Sequence, residues 1–211
     1  DNGTVMNGKM IETPKSFQVA CIVTSQIIAT VASNQYGGQS VDMIHLGKYA
    51  RKSYEKYKKN IEANYKGKVS DEIIEQMAQD MMKAEIKAGV QTIQYQINTL
   101  MTTNGQAPFV TVFMYLNEVP EGQTRDDLAL VTEEVLKQRI QGVKNEQGVW
   151  ITPAFPKLIY VLEEDNIREG TRYWELTKLA AECTAKRMVP DYISEKIMKK
   201  LKDGNCYPCM G

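Results

Sequence analysis

The chain has 211 residues, 43% hydrophobic and 25% charged, which is enough apolar matter for one large or two small cores and rules out a disordered tail. Lys plus Arg number 26, as do Asp plus Glu. Net charge therefore argues for neither a nucleic acid nor a membrane surface, and any basic function must come from a local patch.

No apolar run reads as long enough to span a bilayer, and the opening DNGTVMNGKM is no signal peptide. The four cysteines, Cys21, Cys183, Cys206 and Cys209, form no disulfide framework, so a reducing cytoplasm is expected. Cys21 and Cys183 sit in apolar helical patterns and read as small core residues. The absence of an initial Met and the loop-like ending suggest a piece of something longer.

Residues 1–12 are turn-rich. A helix is expected from Thr13 as N-cap, with Pro14 at the first helical position. From Phe17 to Ala32 apolar residues cover most of its circumference, which places it in a core or in a subunit interface. Gln26 is its odd polar member, and Gly37-Gly38 ends it. From Val41 to Ile61, apolar or aromatic residues at 46, 50, 54, 57 and 61 give a second helix. Lys48, Arg51, Lys52, Lys56, Lys58 and Lys59 line it, either as a solvated face or as a cradle for a polyphosphate. Beyond Lys66-Gly67, Ser70 caps a long helix with Asp71 and Glu72 in its first turn. That helix carries an apolar stripe at 73, 74, 77, 81, 86, 90, 93, 97 and 100, and Gly105 supplies its left-handed stop.

The apolar strand Phe109–Leu116 follows. In a largely helical chain it must be covered on both faces, which points to a parallel sheet or barrel wall. Asn104 and Gln106 stand at its mouth as candidate site residues. Thr124 to Arg139 is a helix with Thr124 and Asp127 as a capping box and Lys137 and Arg139 at its C-terminal end. Lys157–Leu162 is a second strand, and strand, helix, strand makes a right-handed parallel crossover. Tyr173 to Met188 is a helix closed by Pro190. A short helix from Ser194 to Leu201 leads into the terminal loop.

Chemistry is sparse. His45 is the one histidine, which rules out multi-histidine metal sites; it reads as a structural or surface residue. Cys206-x-x-Cys209 is half a zinc site or a thiol pair, without a second ligand pair. Glu163-Glu164-Asp165 reads as catalytic carboxylates or, by preference, a solvated loop. No Ser-His-Asp or Cys-His set assembles.

Several stretches taken together resemble one family. They are Ile11-Glu-Thr-Pro-Lys-Ser16, Gln26-Ile-Ile with Val31-Ala-Ser, Gln35-Tyr-Gly-Gly38, Tyr95 to Leu100, Asn104 to Thr111, Phe155-Pro-Lys-Leu158, Leu179 to Asp191, and Pro208-Cys-Met-Gly211. In this order they resemble the anaerobic (class III) ribonucleoside-triphosphate reductases across nearly the whole chain. The resemblance implies an α/β fold, part of a ten-stranded barrel of the glycyl radical enzymes made from two five-stranded parallel halves. It implies reduction of ribonucleoside triphosphates to 2′-deoxyribonucleotides, with formate as reductant. A glycyl radical, installed by an S-adenosylmethionine iron-sulfur activating enzyme, generates a thiyl radical that abstracts the ribose 3′ hydrogen.

On that resemblance, 13–103 holds dimer-interface and effector-binding helices, and 104–211 holds barrel strands leading to the active-site loop. The thiyl cysteine falls just after Gly211, so Cys209 does not take that role and no catalytic residue is assigned. The glycyl radical and a zinc site also fall beyond the chain, which itself carries no cofactor. A deoxynucleoside triphosphate or ATP effector, bound between the subunits of a homodimer, would meet Glu12, Lys15, Gln26 and Lys56. Lys52 or Lys58 are alternatives to Lys56, and Asn104 and Gln106 would line the substrate pocket. Neither membrane nor nucleic acid is an expected partner. A non-catalytic nucleotide-binding and dimerisation module, or another glycyl radical enzyme, is the competing expectation.

Overall fold

The computed structural model describes residues 3–6, 8–34, 38–101, 105 and 107–207. A short hairpin pairs β1 (Thr4–Met6) with β2 (Lys9–Ile11). Next come α1 (Phe17–Asn34), β3 (Gln39–Asp42), α2 (Ile44–Tyr65), α3 (Asp71–Thr99), β4 (Val110–Met114) and α4 (Gln123–Gln141). A second hairpin, β5 (Val143–Lys144) with β6 (Trp150–Ile151), precedes β7 (Lys157–Leu162), α5 (Trp174–Arg187), β8 (Asp191–Ser194) and α6 (Glu195–Leu201).

The central sheet runs β3-β4-β7-β8, and every neighbouring pair is parallel. Spatial order follows chain order because each parallel connection needs a crossover, here supplied by α2 with α3, by α4 and by α5. Side chains alternate across the sheet. Val110, Val112, Met114, Leu158 and Tyr160 enter the main core with the helices. Phe113, Tyr115, Ile159 and Val161 form a second cluster on the opposite face, against which Ile193 and Cys206 pack. The sequence-based strand at 109–116 is thus the five residues of β4, buried throughout, and β7 has the expected bounds.

Several expectations are corrected. α1 begins at Phe17, not at Thr13. Its first N–H groups are taken by other helices: Phe17 N–H donates to Ser53 Oγ at 2.8 Å and Gln18 N–H to Glu85 Oε1 at 2.9 Å. α1 is also, by length and composition, long and apolar enough to cross a bilayer, contrary to the reading that no run is. It carries no charge, yet it packs Phe17, Ala20, Cys21 and Ile28 into the core.

Ser70 caps α3 as expected, accepting the Ile73 N–H at 3.4 Å. The buried stripe is Ile74, Ala78, Met82, Ile86, Val90, Ile93 and Ile97, while Ile73, Met77 and Met81 are exposed. The helix ends at Thr99, with the Leu100 N–H on Gln96 O, so Gly105 (φ +73°) is not its stop. α4 is capped by Gly122 without a side-chain bond; Asp127 instead turns inward to Arg51. Arg139 does not serve the helix end either: it is buried and donates to Pro153 O at 2.9 Å and to Pro156 O. Strands β3 and β8 were not foreseen.

Candidate functional site

The residues ahead of α1 and one face of α2 enclose an open cavity of about 460 Å³, lined by Thr13, Pro14, Lys15, Lys52, Glu55, Lys56 and Lys59. Four ammonium groups against one carboxylate make a locally positive hollow in a chain of zero net charge. Ammonium groups hold polyphosphate oxygens as point charges. The hollow keeps its shape because α1 is pinned at its first turn by Ser53 of α2 and Glu85 of α3. Burial pushes the Glu85 carboxyl up, but the Gln18 N–H and the hydroxyls of Tyr57, Ser53 and Ser16 outweigh it and hold the pKa below the usual range. A carboxylate at a helix N-terminus also suits the helix dipole.

The basic stripe of α2 divides by face. Arg51 forms a two-pronged bond to Asp127 at 2.8 and 2.7 Å, and Lys58 pairs with Glu75 at 2.8 Å beside Tyr54. Both point away from the cavity and serve packing. Lys52, Lys56 and Lys59 line the cavity, and Lys58 does not. Among the expected ligands, Lys15 and Lys56 are brought together. Glu12 and Gln26 are exposed and line neither this hollow nor its larger neighbour. Gln26 shares the outer surface of α1 with Val19, Ile22 and Ile27, all exposed apolar residues. Asn104 and Gln106, with Cys209, lie outside the described residues.

That larger neighbour, about 670 Å³, lies between α1, β3 and α2, and exposed His45 is part of its lining. Among the described residues no cluster of three or more His, Cys, Asp or Glu is placed to hold a metal ion. Cys21 and Cys183 are core thiols as expected, and burial pushes both thiols up, Cys183 to about 11.

A second polar centre lies at the carboxyl ends of β4, β7 and β8, where open parallel sheets bind ligands. Glu163 is only 2% exposed, which corrects the solvated-loop reading. Its carboxylate accepts the Asn117 N–H at 2.6 Å and Asn166 Nδ2 at 3.1 Å. Burial, set against those donors and reinforced by Asp165 and Glu195, pushes its pKa up to about 8. The sequence signal was the position of this acid at a strand end. At the end of β3, Asp42 accepts the Ile44 N–H at 3.0 Å, and burial and a hydrogen bond with Glu118 push its pKa up to about 8.

A parallel α/β wall, with helices on one face and a polar centre at the strand ends, is the architecture of a barrel-type enzyme. The family model for anaerobic ribonucleoside-triphosphate reductase matches residues 1–211, so the chain belongs to that family. It is 36% identical over 206 residues to the enzyme of that name from Enterobacteria phage T4, covering 95% of this chain and 31% of the phage protein. It is 38% identical over 196 residues to the Haemophilus influenzae enzyme, covering 91% and 26%. The chain therefore spans under a third of the length of these relatives. The anaerobic ribonucleotide reductase of Thermotoga maritima, solved in complex with dATP and CTP, superposes with a TM-score of 0.57 at 13% identity, covering 90% of this chain and 30% of that one, and so shares the fold. A second structure of the Thermotoga protein, with dATP bound in the specificity site, gives 0.56 at 16% identity.

Proposed function

We propose that this chain is the effector-binding and first half-barrel part of a cytoplasmic, homodimeric enzyme that reduces ribonucleoside triphosphates to 2′-deoxyribonucleoside triphosphates. Residues 13–103 carry the effector and dimer helices together with β3, and 104–211 carry the other three strands of the barrel wall. The observation behind this reading is the convergence of Lys15 and Lys56, with Lys52 and Lys59, on one hollow. The dATP held in the specificity site of the Thermotoga protein is the kind of ligand such a hollow suits.

Lysines there neutralise the triphosphate, while Glu12 and Gln26, exposed outside its lining, are the proposed hydrogen-bond partners of sugar or base. The exposed Val19, Ile22 and Ile27 around Gln26 suit burial against a second copy. Asn104 and Gln106, outside the described residues, are the proposed substrate-pocket residues. In the whole enzyme a glycyl radical, raised by an S-adenosylmethionine iron-sulfur activating enzyme, would generate the thiyl radical that abstracts the ribose 3′ hydrogen, and formate would supply the two reducing equivalents. The radical glycine and a zinc site would lie in the part of the enzyme that this chain does not span.

Reading the gene past Gly211 tests this. A cysteine at the next position and a glycyl-radical motif much later are expected. A different residue there, or a stop codon, would leave only a nucleotide-binding module.

A further inference from the structure

On the sheet face opposite the helices, long-range hydrogen bonds tie the end of β4 to the start of α6. Glu195 opens α6, directly after β8, and is buried. Its Oε1 accepts Tyr115 Oη at 2.6 Å, just past the end of β4. Because β7 lies between β4 and β8, this bond spans a whole strand. Lys199 Nζ donates to the same oxygen at 2.6 Å, and Asn117 Nδ2 donates to Oε2 at 3.3 Å. Burial alone would raise the Glu195 pKa, but Lys199, Tyr115 and Asn117 bring it below the usual range. The Tyr115 bond is thus charge-assisted.

From Glu195 the chain runs through α6 and turns back, with Gly204 N–H on Lys199 O at 2.8 Å and Asn205 N–H on Lys202 O at 3.0 Å. Cys206 then lands on the cluster of Phe113, Tyr115, Ile159 and Val161. The Tyr115 ring therefore contributes to the seat of Cys206, while its hydroxyl holds the start of the helix that delivers Cys206.

We propose that Glu195 and Tyr115 are positioning residues, a clamp that seats the 202–207 segment, and Cys206 with it, on the sheet face opposite the helices. The consequence for catalysis rests on the reductase reading, in which the radical cysteine lies just past this segment.

The test uses the full-length protein with iodoacetamide, reading alkylation at each cysteine by peptide mass spectrometry. Tyr115→Phe keeps the ring and removes the bond; Glu195→Ala removes the whole anchor. In both variants Cys206 should react about tenfold faster, the change expected for a lost charge-assisted hydrogen bond, while Cys183 stays as slow as in the wild type. An unchanged Cys206 rate in both variants overturns the clamp. So does acceleration of Cys183 alongside Cys206 in both, which would mean general loosening. In turnover, Tyr115→Phe should lower kcat about tenfold and leave KM for the nucleotide within about twofold. A wild-type enzyme with no reductase turnover would sink the reductase reading and leave the alkylation result standing.

Discussion

The backbone N–H of Gln18 donates to Glu85 Oε1 at 2.9 Å across 67 positions of sequence, so α3 adds a cap to the one that Ser16 Oγ supplies by accepting the Val19 N–H at 3.4 Å. Exposed helix ends cost free energy, and a cap with dipole complementarity contributes about 1 kcal/mol or more. Glu85→Ala should therefore speed amide exchange in the first turn of α1 by about tenfold, measured by hydrogen exchange on the full-length protein, with the α4 peptides unaffected.

The same carboxylate predicts a pH effect. Its pKa in the fold lies below the ordinary value, so its contribution is present above the unfolded pKa and is lost as pH falls through the folded one. Protection at the α1 N-terminus should fall on acidification in the wild type, and this loss should be absent in Glu85→Gln.

Glu163 has the opposite sign. With its pKa raised to about 8 against an ordinary 4.5, the native state holds the proton more tightly than the unfolded chain. Stability therefore falls as pH rises from about 4.5 to about 8. Glu163→Gln mimics the protonated form. Thermal unfolding at pH 5 and pH 9 should show the variant gaining on the wild type at pH 9; an equal difference at both pH values contradicts the assignment.

Gly89 lets α3 approach α1 closely. A Cβ there would lie 2.6 Å from the Phe17 ring and 2.8 Å from Cys21 Sγ. Gly89→Ala gains about 1 kcal/mol of helix propensity but overpacks the core by about 1–3 kcal/mol. A lower thermal midpoint is expected, with partial recovery in Gly89→Ala/Cys21→Ala.

Legibility in the sequence followed the range of the forces involved. β7 reads directly because Leu158 to Val161 form an unbroken apolar run, and Ser70 reads as a cap because its partner is three residues away. The phase of α3 does not read, since Ile73-Ile74 and Met81-Met82 offer two adjacent stripes, and packing against α1 and α2 selects one. β3, with the sequence Gln-Ser-Val-Asp, has no strand signal of its own and exists because β4 pairs with it. Glu163 looks like part of a solvated acidic turn until the end of β4 is laid over it. For the site, the motif at Glu12 to Lys15 and the basic helix were legible. That Lys58 is paired with Glu75 was not, because the pairing depends on which face of α2 the α3 residue Glu75 occupies.

Titration calorimetry of dATP into the full-length protein tests whether the lysine-lined hollow is the effector site. Lys15→Ala and Lys56→Ala should each weaken binding by about tenfold, as expected for one charge-assisted contact to phosphate, and added salt should weaken the wild type further. Lys58→Ala, which removes the pairing with Glu75 and the contact with Tyr54, should bind as the wild type does. Wild-type affinity in both the Lys15 and Lys56 variants, or a loss in the Lys58 variant alone, would contradict the account.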